Sequence, residues 1–546
     1  DRIIKLIIED KKDISSMIIV TFTNKASIEM KTRIKDELNN ILKSDYPDKK
    51  FIVEQIGKLK NAHIQTMHAF CADMIRENFY YFKNLSPKFT IITQNQESVL
   101  KKDSIDQLFE REYESMDVEF KLFLDNFSNL RDDLPARKAI LKTYNLVQSQ
   151  LYPIEWLKNK TEKKIDLYVF KEIIKEKLEN LKESIEDLLS RMQGKKGIHK
   201  FKVRVKFFEF VNDDLIKISK LYSLVDENWD DFVSKISSLK FDGRIAKSKE
   251  DDEFDLNIIK EVRNEYKEQL KTLQLDLINK SSEILNRNNY LESRILCKLS
   301  ELTSDFNKIY SLKKMEQNCL DFNDLEHFFI KLLDNEQVLK ELVEKFEYIY
   351  FDEYQDSNLI QNHIINKLKR NNNLFLVGDL KQSIYRFRLA KPDLFLQKLK
   401  EYEKDSQSRR INLNENFRTE KNLIEFNNYI FDRLMTLENS SIDYKNGGHR
   451  LNWTVDNSKK YNDIASVELD LIQDDGYEYD FISKRIIELK SKGAQYRDIA
   501  ILLRSSTNLY KLRNSLEKYE IPYYSDMDSS SFENVEINFF ISLLKL

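Results

Sequence analysis

Apolar positions along the chain follow two regimes. In the first hundred residues, short continuous apolar runs alternate with helical periodicity. MIIVTF (Met17 to Phe22) reads as a buried strand. Thr23 or Asn24 is the expected N-cap of the helix behind it, whose apolar face is Met30, Ile34, Leu38 and Ile41. AHIQTM (Ala62 to Met67) predicts a second strand, running into the helix HAFCADMIRENFYYF. Continuous apolar strands alternating with helices indicate a parallel sheet covered on both faces.

From about Lys101 to Lys314 charge rises and strand patterns become scarce. Ile174, Leu178, Leu181, Ile185, Leu188 and Met192 recur at steps of three and four, an amphipathic helix. This stretch reads as a largely helical insertion. One segment within it differs: KKGIHKFKVRVKFFEF carries Lys195, Lys200, Lys202, Arg204 and Lys206, either a solvated hairpin or a contact for duplex DNA. Alternating patterns then resume. LDFNDLEHFFIKLL predicts a helix, YIYFDE and LFLVGD strands, and INLNENF the start of a new domain. DIAILLR (Asp498 to Arg504) predicts a strand, followed by the helix NLYKLRNSLEKYE and the short strand IPYYSD.

Composition narrows the class. A chain of 546 residues is too long for one core, and roughly three or four domains are expected. A hydrophobic fraction of 41%, with 34 Phe and 26 Tyr, suffices for packed cores. The net charge of -3 means that any nucleic-acid-binding surface must be local. Cys71, Cys297 and Cys319 show no metal or disulfide spacing, which favours a reducing, cytoplasmic setting. No apolar run approaches membrane-spanning length, so no membrane role is expected.

Candidate chemistry centres on YIYFDEYQDS. Asp352 and Glu353 stand at the end of an apolar strand, where ligands bind in open parallel sheets. Asp352 can hold a hydrated Mg2+, and Glu353 can orient and activate an attacking water. A solvated pair of strand-end acids is the plain alternative. In VGDLKQSIYRFR, Gln382 can reach a terminal phosphate or its attacking water. Tyr385, Phe387 and Arg388 interleave aromatic and basic groups suited to stacking bases and holding phosphates, unless the aromatics are core. In LNENFRT, Arg418 can stabilise charge on a transferring phosphoryl group and Phe417 can stack an adenine; an ordinary ion-paired arginine is the alternative. TFTNKA and QTMHAF both lie at strand-to-helix turns. There Thr23, Asn24, Thr66 and His68 suit phosphate contacts and Phe22 suits base stacking; N-capping by Thr23 or Asn24 and a structural role for His68 are the alternatives.

Together these strings resemble superfamily 1 DNA helicases of the UvrD/Rep/RecB group. TFTNKASIEMKTRI is similar to their motif Ia, IQTMHAFC to the motif after it, YFDEYQDS to motif II, VGDLKQSIYRFR to motif III and LNENFRT to motif IV. RDIAILLRS is similar to the strand that follows in their second motor domain. LDFNDLEHFFIKLL and the long motif III segment look most like AddA-type helicase–nuclease proteins. UvrD and Rep proteins generally carry Trp-Arg-Gly where this chain has Phe387-Arg388-Leu389.

The resemblance implies an α/β fold: RecA-like parallel-sheet motor domains with a mainly helical insertion domain. It implies a first motor domain over 1–100 and 316–400, the insertion over 101–315 and part of a second motor domain over 401–546. It implies an ATP-dependent 3′-to-5′ DNA helicase or translocase of the AddA type, using ATP and Mg2+ on single-stranded DNA and duplex ends in double-strand break repair. A protein of the AddB type is the implied partner. The alternatives are a stand-alone repair helicase and a non-catalytic DNA-binding scaffold. No GxxxxGK[ST] phosphate loop occurs among the 9 glycines. If DRIIKLIIED resembles the helix behind that loop, the chain is expected to be an internal fragment, with the loop upstream and the remaining motor and nuclease parts downstream.

Overall fold

A computed structural model describes residues 2–83, 85–129, 131–161, 167–194, 201, 203, 205–243, 252–440, 442–455, 467–472 and 475–525. Its strands are β1 (Met17–Thr21), β2 (His63–Thr66), β3 (Thr90–Ile91), β4 (Cys319–Leu320), β5 (Tyr348–Phe351), β6 (Leu374–Leu376), β7 (Glu415–Asn416) and β8 (Asn452–Trp453). The chain divides into two compact units: Asp1–Phe351 with Asn358–Phe375, and Asp352–Ser357 with Leu376–Leu546.

The first unit is built on the sheet β2-β1-β5-β6. β1 is buried at every position and pairs in parallel with β2 on one side and β5 on the other. That explains its continuous apolar run, since a central parallel strand has no solvent face. The helix Asn24–Lys43 follows β1 with Thr23 as its cap. Ile34 and Leu38 are buried on its inner face, with Met30 and Ile41 packed beside them, as the periodicity predicts. The α/β reading is thus realised, and the middle of the chain is helical.

Two cores hold that helical part. In one, helices Gln94–Ser115, Val118–Phe127 and Leu134–Val147 pack against the 35-residue helix Ser282–Glu316. In the other, helices Leu167–Gln193, Val205–Glu227 and Glu253–Asp276 meet. All six predicted apolar positions from Ile174 to Met192 lie in this second core. It also encloses an ion pair. The Arg263 guanidinium donates to both oxygens of Asp214, at 2.8 and 3.2 Å, and the Tyr266 hydroxyl donates at 2.8 Å. Of the basic segment, Lys206 lies beside the Phe207 ring; Lys195, Lys200, Lys202 and Arg204 lie outside the described residues.

The second unit departs from the sequence pattern. INLNENF contributes only the two residues of β7, paired in parallel with β8. DIAILLR forms no strand among the described residues, nor does IPYYSD, whose Asp526 lies outside them. The alternation in DIAILLR is nonetheless used: Ile499 and Ile501 pack on the cluster of Tyr479, Ile486, Leu512 and Leu516, while Leu502 is 94% exposed. Side-chain period decides which face is buried; a strand also needs a hydrogen-bonded neighbour, and no described segment supplies one. The helix between these segments forms over Leu509–Lys518.

Candidate nucleotide and nucleic-acid site

β5 ends at Phe351, and the acidic turn Asp352–Ser357 belongs to the second unit. Glu353 takes a left-handed backbone, φ 52° and ψ 43°, uncommon and mildly strained for a residue with a side chain. The turn is anchored on the segment after β6. Tyr354 N–H donates to the Val377 carbonyl at 2.9 Å, and Lys391 N–H to the Ser357 carbonyl at 3.0 Å. The buried Tyr354 ring meets Phe395 edge-on, with centroids 5.8 Å apart.

A hydrogen-bonded run links the two motifs. Gln355, 1% exposed, donates from Nε2 to Glu353 Oε2 at 2.8 Å and to Asp356 Oδ2 at 3.3 Å. Its Oε1 accepts the Asp379 backbone N–H at 2.9 Å. The Asp379 carboxylate then accepts from Gln382 Nε2 at 2.7 Å and Lys381 Nζ at 2.6 Å. Glu353 and Gln382, both expected at the site, are therefore joined through Gln355 and Asp379. Sequence reasoning assigned those two no role. The available signal was a glutamine between acids on a turn that leaves a buried strand.

Burial and close carboxylates dominate the electrostatics of the turn. Burial, then the Glu353 carboxylate, raises the Asp352 pKa above the ordinary value; the same causes, in that order, raise Asp356. Asp356 Oδ1 is buried with no hydrogen-bond partner among the described residues. Among those residues no three acidic, histidine or cysteine side chains form a metal-holding group. The unpartnered Asp356 oxygen fits Mg2+, which takes one or two carboxylates and completes its shell with water and nucleotide phosphates. The donor set therefore suits the ion expected with Asp352.

The other predicted residues fall as follows. Phe387 is 76% exposed, so the core alternative fails for it; its ring lies 5.8 Å from that of the half-buried Tyr385, tilted by 40°. Arg388 closes the short turn Arg386–Arg388, and Leu389 follows with φ 64°, the left-handed region that favours glycine. Phe417 and Arg418 lie on the loop after β7. There Asn416 Oδ1 accepts the backbone N–H of Arg418 and of Thr419, both at 3.0 Å. Arg418 is exposed, and among the described residues no hydrogen bond or ion pair joins it to the Glu353–Gln382 run.

In the first unit, the register Thr21↔Thr66 sets the two strand-to-helix turns side by side at the carboxyl end of the parallel strands. Phe22 is half-buried there and Asn24 is exposed at the first position of its helix. Thr23 and Thr66 both cap, accepting the N–H of Ala26 at 3.1 Å and of Ala69 at 3.3 Å. His68 pairs with Glu326 at 3.2 Å, so this imidazole has a buried structural partner that the sequence did not indicate.

A parallel α/β unit with an acidic strand end tied to a glutamine loop is the framework of a RecA-like nucleotide-driven motor. Residues 1–403 match the UvrD/REP helicase N-terminal domain and residues 411–546 the UvrD-like helicase C-terminal domain, and the chain belongs to this helicase family. Among curated relatives it is similar to proteins named as the A component of an ATP-dependent helicase/nuclease. Identity is 32% with that of Alkaliphilus oremlandii (strain OhILAs), over 100% of this chain and 48% of the relative. It is 31% with that of Alkaliphilus metalliredigens (strain QYMF), over 100% and 48%. With that of Clostridium beijerinckii (strain ATCC 51743 / NCIMB 8052) it is 32%, over 100% and 49%. The chain spans about half the length of the curated relatives it matches. Among the described residues no helix is long and apolar enough to cross a membrane.

Proposed function

We propose that the chain is the motor portion of an AddA-type, ATP-dependent 3′-to-5′ DNA helicase acting in double-strand break repair and recombination. Its similarity to proteins named as components of an ATP-dependent helicase/nuclease supports that type over a stand-alone repair helicase. An AddB-type partner, a cytoplasmic setting and a nuclease activity outside these 546 residues belong to the same reading. So does the division into a first motor domain (1–100 and 316–400), a helical insertion (101–315) and a second motor domain (401–546).

The observation that carries the reading is the run Glu353–Gln355–Asp379–Gln382. Glu353, fixed by Gln355, orients the attacking water and takes its proton. Gln382, held on Asp379, is placed to sense the terminal phosphate. Mg2+ on Asp352 would offset the carboxylate cluster and the charge of the phosphates. Arg418 stabilises charge on the phosphoryl group, and Phe417 stacks the adenine. Phe387, Tyr385 and Arg388 hold a single DNA strand, as do Phe22, Thr23, Asn24, Thr66 and His68 at the paired turns. A non-catalytic scaffold has no use for a cluster of half-buried carboxylates with raised pKa or for a left-handed Glu353. The test is ATP hydrolysis by the complete protein with and without single-stranded DNA. Stimulated turnover abolished by Glu353→Gln is expected; no turnover in either condition refutes the reading.

A further inference from the structure

Within the first unit, Glu326 is a buried carboxylate with no place in the chemistry above. It sits on the helix Phe322–Leu333, 2% exposed. Three side chains from two other elements converge on it. His68 Nε2 lies 3.2 Å from Oε1, Gln361 Nε2 donates to Oε1 at 2.7 Å, and Asn358 Nδ2 donates to Oε2 at 3.1 Å. Burying a carboxylate costs several kcal/mol unless such partners compensate. Burial pushes its pKa up, but His68 and the amides of Gln361 and Asn358 outweigh this and leave it below the ordinary value. The charge is retained in the interior, and it contributes, after burial, to raising the Cys71 thiol.

The positions of the three partners give the arrangement its meaning. His68 is the second residue of the helix behind β2, where the ring also meets Phe322 at 4.9 Å. Its side chain is 35% exposed, so it is reachable from solvent while paired. Asn358 follows the acidic turn directly in the chain. Its Oδ1 caps the helix Leu359–Leu368 by accepting Gln361 N–H at 2.7 Å, which fixes the amide so that Nδ2 faces Glu326. The carboxylate therefore clamps the start of the helix that begins where the acidic turn ends. Its own helix is firmly seated: Asp321 and Asp324 cap it reciprocally, and Lys314 Nζ donates to both, at 2.7 and 2.5 Å.

We propose that Glu326 is a positioning residue that couples strand contact at the His68 turn to the Asp352–Ser357 turn through Asn358 and Gln361. This rests on the proposed DNA-stimulated ATPase and adds a residue that transmits the stimulation. A phosphate accepting a hydrogen bond from the His68 imidazole competes with Glu326 for that ring. The carboxylate then leans more heavily on the two amides, and the N-terminus of the Leu359–Leu368 helix responds.

The test compares basal and strand-stimulated ATP hydrolysis in the complete protein carrying Glu326→Gln, with oligothymidylate as the probe. Basal hydrolysis is expected to persist, while maximal stimulation falls about tenfold, within the usual range of coupling between sites. Glu326→Asp, which keeps the charge, should recover part of the stimulation. If Glu326→Gln does not yield folded protein, Gln361→Met, which removes a single donor, should give the same split. Equal falls in basal and stimulated rates, or normal stimulation in Glu326→Gln, would overturn the proposal. Absence of stimulation in the unmodified protein would instead defeat the functional reading on which it rests.

Discussion

Replacing Gly378 by alanine tests the geometry on which the acidic turn depends. A Cβ at this position would lie 2.7 Å from Gln355 Oε1 and 3.0 and 3.2 Å from two carbons of the Phe395 ring. The glycine is not in a left-handed conformation, so the effect is one of space and not of backbone strain. A flexible side-chain end normally moves aside at little cost. Gln355 cannot, because its Oε1 accepts the Asp379 N–H and its amide nitrogen holds Glu353. Leaving this half-buried N–H unpaired costs about 1 kcal/mol. Crowding against the Phe395 ring adds overpacking, for a total of about 2–4 kcal/mol. Displacing the Glu353 carboxylate by about 1 Å is expected to lower turnover up to about a hundredfold. Urea unfolding of this chain reads the first quantity, with a lower midpoint at constant slope. Single-strand-stimulated ATPase of the complete protein reads the second. Gly57→Ala is the control: its Cβ meets nothing within 4 Å on the helix Lys49–Lys58, and it should stabilise by about 0.5–1 kcal/mol. Wild-type midpoint and turnover in Gly378→Ala would refute the reasoning.

Four further outcomes are expected. Phe387→Ala should change unfolding free energy by less than about 0.5 kcal/mol, because the ring is 76% exposed, yet weaken single-strand binding by about 1–3 kcal/mol; a large fall in melting temperature with normal affinity would remove Phe387 from the strand-binding surface. Asp214→Ala should destabilise the helical part by about 3–5 kcal/mol, because the Arg263 guanidinium loses its buried carboxylate, and a calorimetric shift near zero would contradict this. The Asp324 carboxyl is pushed up to about 6, first by burial and then by Asp321, above its unfolded value of 3.8; protonation therefore favours the folded state, its contribution falls as pH rises from about 4 to 6, and Asp324→Asn should flatten that part of the stability profile against pH. The 546-residue chain by itself, with no GxxxxGK[ST], should not hydrolyse ATP, and DNA-stimulated turnover abolished by Glu353→Gln would disprove this.

The sequence by itself determined the elements whose periodicity ends in burial. β1 reads as a continuous apolar run because it is central and covered on both faces. The stripe from Ile174 to Met192 reads as a helix because one face enters a core. The strand that ends at the acids and the Thr23 cap were equally legible, since residue type at a strand end or helix start is local information. Only the tertiary structure decided which polar groups meet. Gln355 reaches Asp379, 24 positions away, and Glu326 gathers His68, Asn358 and Gln361 from distant segments. Such pairings depend on which elements pack together, and no periodicity encodes them. The same holds for Ile499 to Leu503, where alternation chose the buried side but a strand required a neighbour. Hydrophobic period is a property of one segment, whereas a ladder or a buried carboxylate's donors belong to several.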